Sequence, residues 1–378
     1  MKTVLQQDTS VQVLQNNLEE LTKDPSVSSV LIFAADGNNW TASELDPVVQ
    51  GCKLKVYGGV FPQIIYEQQN YEQGAVLVAL PHELHWSLIE QLSNPDADFD
   101  EPLADLADAW EDLTGPATHL VFVDGLATCI ATLIESLFMN FGLEHNYLGG
   151  GAGSLSFEQK PCLITPEGLK SDAALLLRLP QVSGVGVAHG WTPISEAYKV
   201  TSSEKNQVHQ LEWQPAFLAY RAQVEAHSGQ TFTDANFFDL AKAYPFGINK
   251  LDSEMVVRDP LMLQGEHSMV CVGEVPEGSF VRILNGTPES LIKAAGTAAN
   301  LALTAWQTTS KQEPEWACFI DCISRVLFME ERIVEEFNQV AGNYPLVGAL
   351  TLGEIANTGQ DYLEFYNKTA VLGLLGQS

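Results

Sequence analysis

The chain has 378 residues, 46% of them hydrophobic, which is enough for two globular domains with buried cores. Its 48 acidic and 19 basic residues give a formal net charge of -29. A charge of this sign repels nucleic-acid phosphates and anionic lipid headgroups, so we expect no direct binding to nucleic acid or membranes.

Three features of the sequence predict a cytoplasmic protein. The N-terminus lacks the apolar core of a secretory signal. No segment approaches the roughly 20 consecutive apolar residues of a membrane span. The six cysteines lie mostly within apolar strand or helix patterns, which indicates buried, reduced thiols rather than a disulfide framework.

The chain begins with a predicted helix over residues 9–23, where Val11, Leu14, Leu18 and Leu21 have helical spacing. A strand, a helix, a corner of small residues and a second strand then follow, and this pattern occurs three times. The first strands are residues 29–33, 119–124 and 317–321, the corners are 57–59, 147–151 and 344–349, and the later strands are 75–80, 173–177 and 370–374. Three such units predict an internally duplicated fold.

An acidic segment separates the first two copies. Residues 96–112 contain eight carboxylates and no basic residue, while Phe99, Leu103, Leu106 and Trp110 form an apolar stripe. The segment is predicted to be a surface helix with a solvated acidic face. A docking site for a basic partner is the functional alternative.

We predict an α/β (α+β) fold in which β-sheets are covered by helices. A strand-rich segment gives way to a helix near residues 213–215, which suggests a domain boundary. The predicted organisation is therefore an N-terminal helix in residues 1–26, a first module in 27–213 and a second in 214–378. The glycine run 149–153 lacks the lysine of a phosphate loop and follows a helix, so a nucleotide loop is not expected.

Residues 319–325, 345–355 and 365–369 resemble, in order and spacing, the signature of FIST-domain sensory proteins. Residues 149–153, 190–194 and 256–261 fit the same family. The resemblance implies an N-terminal and a C-terminal FIST module that sense a ligand for a histidine kinase, a cyclic-di-GMP enzyme or a chemotaxis receptor. We expect no enzymatic activity and, without a fused output domain, a separate partner of the two-component type.

An amino-acid-like molecule is one candidate ligand for such a sensor. Such a ligand needs a cation for its carboxylate and an anion for its ammonium group. Arg325 and Glu354 are the candidates, with Asn367 as a further hydrogen-bonding group and Gly150 and Gly151 in the adjoining corner. In the alternative interpretation, Arg325 and Glu354 form a structural ion pair and Asn367 caps a turn.

The family also contains stand-alone sensors that bind haem and detect nitric oxide. A haem needs an axial ligand, usually histidine, in a large apolar pocket. His189 is the candidate, since it ends an apolar strand among small residues. A hydrolase is the remaining alternative, although the sequence has no Gly-x-Ser-x-Gly elbow and no zinc-protease helix.

Overall fold

The computed structural model describes residues 1–143, 145–233, 235–250, 254–265, 267–357 and 362–377. Three six-stranded sheets have the same strand order, and a fourth sheet has nine strands. Helices lie against the three similar sheets. The predicted α/β fold of helix-covered sheets is confirmed.

The first repeat consists of a strand, a helix, a strand, a helix and then four strands. Its elements are β1 (Lys2–Gln6), α1 (Val11–Thr22), β2 (Ser29–Ala35), α2 (Ala42–Gly51), β3 (Lys55–Phe61), β4 (Gln63–Tyr66), β5 (Gln69–Tyr71) and β6 (Ala75–Leu80), with a 3-10 turn at Asp36–Asn38. Strands β2 and β3 are parallel, and β2 pairs antiparallel with β6. The predicted N-terminal helix and both predicted strands are therefore confirmed.

The second repeat has the same order of elements. They are β7 (His85–Glu90), α3 (Asp100–Glu111), β8 (Thr118–Asp124), α4 (Ile130–Phe141), β9 (Asn146–Ala152), β10 (Leu163–Thr165), β11 (Gly168–Lys170) and β12 (Ala173–Leu179). Helix α3 is the predicted acidic helix. It buries Leu103 and Trp110 against the sheet, which leaves its carboxylates toward solvent.

The third repeat starts with β13 (Val182–Ala188) and is interrupted by an insertion that forms the nine-stranded antiparallel sheet. The insertion contains β14 (Thr192–Pro193), β15 (Tyr198–Glu204), β16 (Gln207–Leu211), β17 (Gln214–Pro215), α5 (Ala216–Ser228), α6 (Phe237–Ala241), β18 (Phe246–Ile248), β19 (Val256–Arg258), β20 (Pro260–Gln264), β21 (Ser268–Cys271) and β22 (Phe280–Asn285).

The repeat then resumes on the far side of the insertion. Its remaining elements are α7 (Pro288–Thr309), β23 (Trp316–Cys322), α8 (Ile323–Met329), a 3-10 turn at Glu330–Arg332, α9 (Ile333–Val340), β24 (Leu346–Thr351), β25 (Glu354–Ala356), β26 (Glu364–Tyr366) and β27 (Ala370–Gly376). Strands β23 and β24 are parallel, as β2 and β3 are in the first repeat.

Each repeat contributes a β-hairpin to the sheet of another repeat. The hairpin β4–β5 pairs with β24, β10–β11 pairs with β3, and β25–β26 pairs with β9. The first repeat thus completes the third sheet, the second completes the first, and the third completes the second. The exchange is a closed ring.

The segments predicted as corners were wrongly read as turns, since they lie largely in the parallel strands β3, β9 and β24, and one glycine occupies the equivalent position in each. A Cβ atom at Gly58, Gly149 or Gly348 would lie 1.9, 1.8 or 1.8 Å from a carbonyl oxygen of the neighbouring parallel strand. No side chain fits at such a distance, so glycine lets the two backbones approach closely. The common requirement explains why the corners are visible in the sequence.

The core lies between the sheets and under their helices. Phe33, Phe61 and Phe122 meet at the centre with ring centroids 5.7 to 5.9 Å apart. Separate apolar layers pack α1 and α2, α3 and α4, and α7 to α9 onto their own sheets. Within the described ranges, none of the helices is both long and apolar enough to cross a bilayer.

We expect Gly149→Ala to destabilise the protein by about 1–3 kcal/mol or more, because the new methyl group would collide with the Val121 carbonyl oxygen. The matched control is Gly51→Ala at the end of α2, where no atom lies within 4 Å of an added Cβ. The control should be neutral or slightly stabilising. Urea unfolding of both variants measures the difference, and equal stabilities would contradict the close-approach argument.

Candidate functional site

The glycine corners of the second and third repeats lie side by side. In the exchanged pairing of β9 with β25, the Gly151 amide donates to the Gly353 carbonyl at 2.8 Å, and the Leu352 amide donates to the Gly151 carbonyl at 2.9 Å. A Cβ atom at Gly150 would lie 2.6 Å from the Gly353 oxygen, and one at Gly151 would lie 2.4 Å from the Leu352 oxygen. Gly150 and Gly151 therefore permit the contact between the corners.

A cavity of about 310 Å³ lies beside this junction, and we call it the corner cavity. Three parts of the fold form its wall: the loops that follow β8 and β9 in the second repeat, the α8, β24–β25 and post-β26 segments of the third repeat, and the insertion. The lining residues are Gly125–Thr128, Leu155, Phe157, Lys205, Asn206, Phe238, Asp259, Leu261, Cys271–Glu274, Cys322–Ser324, Leu327, Leu352, Gly353 and Asn367. Most of these side chains are apolar.

Two of the polar residues that line the corner cavity, Asp259 and Asn367, are only 3% and 2% exposed. Lys368 Nζ lies 3.0 Å from Asp259 Oδ2, and Arg258 donates to Asn367 Oδ1 at 3.3 Å. Each side chain thus has one atom in a contact, while Asp259 Oδ1 and Asn367 Nδ2 are buried without a hydrogen-bond partner. Burial raises the pKa of Asp259, and the nearby Lys368 opposes that shift.

Two adjacent residue pairs produce this arrangement. Arg258 and Asp259 follow one another at the end of β19, and Asn367 and Lys368 follow one another after β26. Arg258 of the first pair donates a hydrogen bond to Asn367 of the second, and Lys368 of the second pair contacts Asp259 of the first. Lys368 is itself enclosed, since its Nζ donates to the Lys242 carbonyl at 3.1 Å and lies 5.0 Å from the centroid of the Trp191 ring.

Arg325 lies in α8 but does not line the corner cavity. Its guanidinium is fully buried, lies 3.1 Å from Asp321 Oδ1 and also pairs with Glu336. Its other N–H groups donate to the carbonyls of three distant segments, at His189, Leu291 and Lys368, at 2.8 to 3.1 Å. These contacts engage all five N–H donors of the guanidinium.

Glu354 is also fully buried and is not an ion-pair partner of Arg325 among the described residues. It accepts hydrogen bonds from the Thr351 hydroxyl at 3.2 Å and the Thr369 amide at 3.1 Å. Burial raises the pKa of Glu354 to about 8. Arg325, Glu354 and Asn367 were predicted to share one crevice. Of the three, only Asn367 lines the corner cavity.

His189 lies at the end of the third repeat's first strand and is 3% exposed. The Trp191 amide donates to its Nδ1 at 2.9 Å, and its Nε2 lies 3.3 Å from Glu254 Oε1. Burial lowers the pKa of His189 to about 3, with a further contribution from Arg325. Haem ligation by His189 stays a prediction; its Nε2 is buried without a hydrogen-bond partner, and His189 does not line the corner cavity.

A second cleft, of about 710 Å³, is lined by His119, His145, Trp110, Phe141 and Arg178 among others. The rings of His119 and His145 stack with centroids 4.6 Å apart, and both nitrogens of His119 are buried without a hydrogen-bond partner. In the part of the chain that the structure describes, no group of three or more His, Cys, Asp or Glu side chains is placed to hold a metal ion.

Asn367 was predicted from the sequence to be a site residue, but Asp259 was not. A usable signal was present, because Arg258 and Asp259 are two charged residues inside the otherwise apolar run 256–261. Charged side chains in such a run are rarely buried unless they are paired. Their partners lie more than a hundred residues further along the chain, which no local pattern reveals.

Two family models match the chain almost end to end. The FIST N domain model matches residues 28–214, and the FIST C domain model matches residues 216–357. No curated protein matches the chain. The matches meet inside the insertion, at β17, and the corner cavity is lined by residues from both matched regions and by Asn367 beyond them.

We expect Glu354→Gln to flatten the loss of stability on going from pH 5 to pH 8. The folded-state pKa of Glu354 is raised to about 8 from a usual 4.5, so between these values the folded protein retains a proton that the unfolded chain has released. Stability therefore falls as pH rises through this window, by up to ~1.4 kcal/mol per pH unit for one proton.

The glutamine preserves the acceptor for the Thr369 amide and cannot ionise, so its pH profile should be shallower. Urea unfolding at several pH values measures both slopes. The control is Glu335→Gln, which removes an exposed carboxylate of α9. If the stability of the wild type and that of Glu354→Gln fell equally with pH, the raised pKa of Glu354 would be contradicted.

Proposed function

Because the chain belongs to the FIST-domain proteins, which are associated with the sensing of small ligands in signal transduction, we propose that the corner cavity binds its ligand. The proposal rests on the two unpartnered polar atoms in this apolar cavity, Asp259 Oδ1 and Asn367 Nδ2. Buried polar atoms in proteins are nearly always hydrogen-bonded. A ligand that bonds to both atoms would satisfy them.

Through the walls of the corner cavity, a bound ligand can change the conformation of the protein. They come from the second repeat, the third repeat and the insertion, so one ligand contacts three parts of the fold. A ligand shifts a conformational equilibrium only by binding one arrangement better than another. The rim residues Phe157, Phe238 and Leu327 are 61%, 40% and 42% exposed, and this apolar rim is the surface whose arrangement would change.

We infer that a separate signalling protein reads this change, and a histidine kinase or a cyclic-di-GMP enzyme is the class that the family resemblance implies. The net charge of -29 favours a partner with a basic surface. The acidic helix α3 offers a second contact of the same sign.

The contents of the corner cavity favour sensing over hydrolysis. Two described lining residues carry a hydroxyl: Ser324, which donates to Cys322 Sγ at 3.0 Å, and Thr128, which donates to the Ser93 carbonyl at 3.1 Å. A serine nucleophile needs an adjacent general base. None of the described lining residues is a histidine, so the described wall supplies no imidazole base and no imidazole ligand for haem.

We expect Leu327→Trp to abolish thermal stabilisation by a low-molecular-weight cell extract while leaving the fold intact. Leu327 is at the rim and 42% exposed, so a larger side chain can be accommodated there while it closes the cavity. A bound ligand stabilises by mass action, by about 2.7 kcal/mol at a hundredfold excess over Kd. Leu303→Trp, at a 41% exposed position on α7, is the matched control.

The wild type and Leu303→Trp should both show a rise in Tm, and Leu327→Trp should show none. An equal rise in all three proteins would place the binding site elsewhere and refute the proposal.

We expect protein purified from haem-supplied cells to show no Soret absorption band that Leu327→Trp removes, since haem should not bind in the corner cavity. The corner cavity is at the small end of ligand pockets, which span about 300–1,000 Å³, and none of its described lining residues is a histidine. A strong Soret band that shifts with nitric oxide would instead support haem sensing. His189→Ala would then test whether the predicted axial ligand carries it.

A further inference from the structure

The two unpartnered polar atoms of the lining also define the chemistry of the head group that the corner cavity takes. Asp259 Oδ1 is a free acceptor, because the Lys368 contact uses Oδ2. Asn367 Nδ2 is a free donor, because Arg258 donates to Oδ1 and so fixes the orientation of the amide. The site therefore presents one acceptor and one donor.

The two free atoms belong to neighbouring side chains. Arg258 contacts Asn367, and Lys368 contacts Asp259, so the two residue pairs are cross-linked. A group that satisfies both atoms needs its own donor and its own acceptor close together. A carboxamide has this pattern: its N–H can donate to Asp259 Oδ1, and its carbonyl oxygen can accept from Asn367 Nδ2.

Charge separates a carboxamide from the charged head groups of similar size. The Asp259 carboxylate is paired with the Lys368 ammonium, and both side chains are almost fully buried. The remaining charged lining residues, Lys205 and Glu274, are of opposite sign. The buried Arg258 beside Asn367 adds a further cation, so an ammonium ligand would meet buried cations and leave Asn367 Nδ2 without an acceptor. A carboxylate ligand has only acceptors, so one of its oxygens would face the Asp259 carboxylate without a hydrogen bond.

The rest of the corner cavity determines the other half of the ligand. Leu126, Leu155, Leu261 and Leu352 line it, with the exposed Phe157 and Leu327 at the rim. These side chains offer no hydrogen bonds and favour an aliphatic or aromatic body.

Resting on the proposed function, we infer that the corner cavity binds an uncharged carboxamide attached to a short apolar group, with Asp259 and Asn367 reading the amide. The free amino acid predicted from the sequence carries two charges and no carboxamide. The two ligand classes can therefore be distinguished by probes.

The test compares probes with one chain and different heads by isothermal titration calorimetry at pH 7. Hexanamide, hexanoate and hexylammonium share a six-carbon body, and leucine represents the free amino acids. We expect hexanamide to bind at least tenfold more tightly than the other three. N,N-dimethylhexanamide keeps the acceptor but lacks the N–H, and it should lose at least tenfold in affinity on the unaltered protein.

Two variants locate the binding. Asn367→Leu removes the donor and should weaken hexanamide at least tenfold, while Leu327→Trp should remove binding and Leu303→Trp should not. If Asn367→Leu fails to fold, the affinity of the wild type for N,N-dimethylhexanamide still tests whether the amide is recognised by hydrogen bonds.

Tighter binding of leucine, hexanoate or hexylammonium at a site blocked by Leu327→Trp would overturn the carboxamide inference and leave the proposed function standing. Equal affinity for hexanamide and its dimethylated form, or no binding by any probe, would also overturn it. The extract experiment with Leu327→Trp judges the proposed function separately.

Discussion

The open edge of each sheet is the constraint on which the rest of the structure depends. Strands β3, β9 and β24 would each expose a row of unpaired N–H and C=O groups, and such edges invite association with other chains. In every case a hairpin from another repeat covers the edge. Because no repeat supplies its own hairpin, none completes its sheet alone, and the two regions matched by the family models are joined through backbone hydrogen bonds.

The position of the corner cavity follows from this exchange. The hairpin β25–β26 crosses to β9 and brings the corner of the third repeat against that of the second. The insertion that divides the third repeat then covers this junction with β19, β20 and β21, which supply Asp259 and Cys271. The other two junctions are made by the short hairpins β10–β11 and β4–β5. The internal symmetry is therefore broken where the insertion lies.

The parts of the fold that could be predicted from the sequence are those set by local chemistry. Buried strands read as apolar runs, helices as stripes at 3.6-residue spacing, and the corners as glycines that let backbones approach closely. The short hairpin strands have three or four residues each and carry little pattern, and which sheet they join depends on residues up to about three hundred positions away. The pairing of each hairpin with the sheet of another repeat therefore could not be predicted from local sequence patterns.

The candidate site divides along a similar line, and the dividing property is whether a buried polar group both lacks a hydrogen bond and lines the cavity. Asp321 and Glu336 each have a buried oxygen without a partner, but neither residue lines the corner cavity. Arg325 was predicted from the sequence to bind the ligand. Its guanidinium instead contacts Asp321, Glu336 and three backbone carbonyls. It therefore joins α7, α8, α9 and the segments that flank the insertion. Asp259 and Asn367 are buried equally well but are only half satisfied. A satisfied buried group stabilises one conformation, whereas a half-satisfied group at a cavity wall gains from a ligand, so residue type alone could not separate the two.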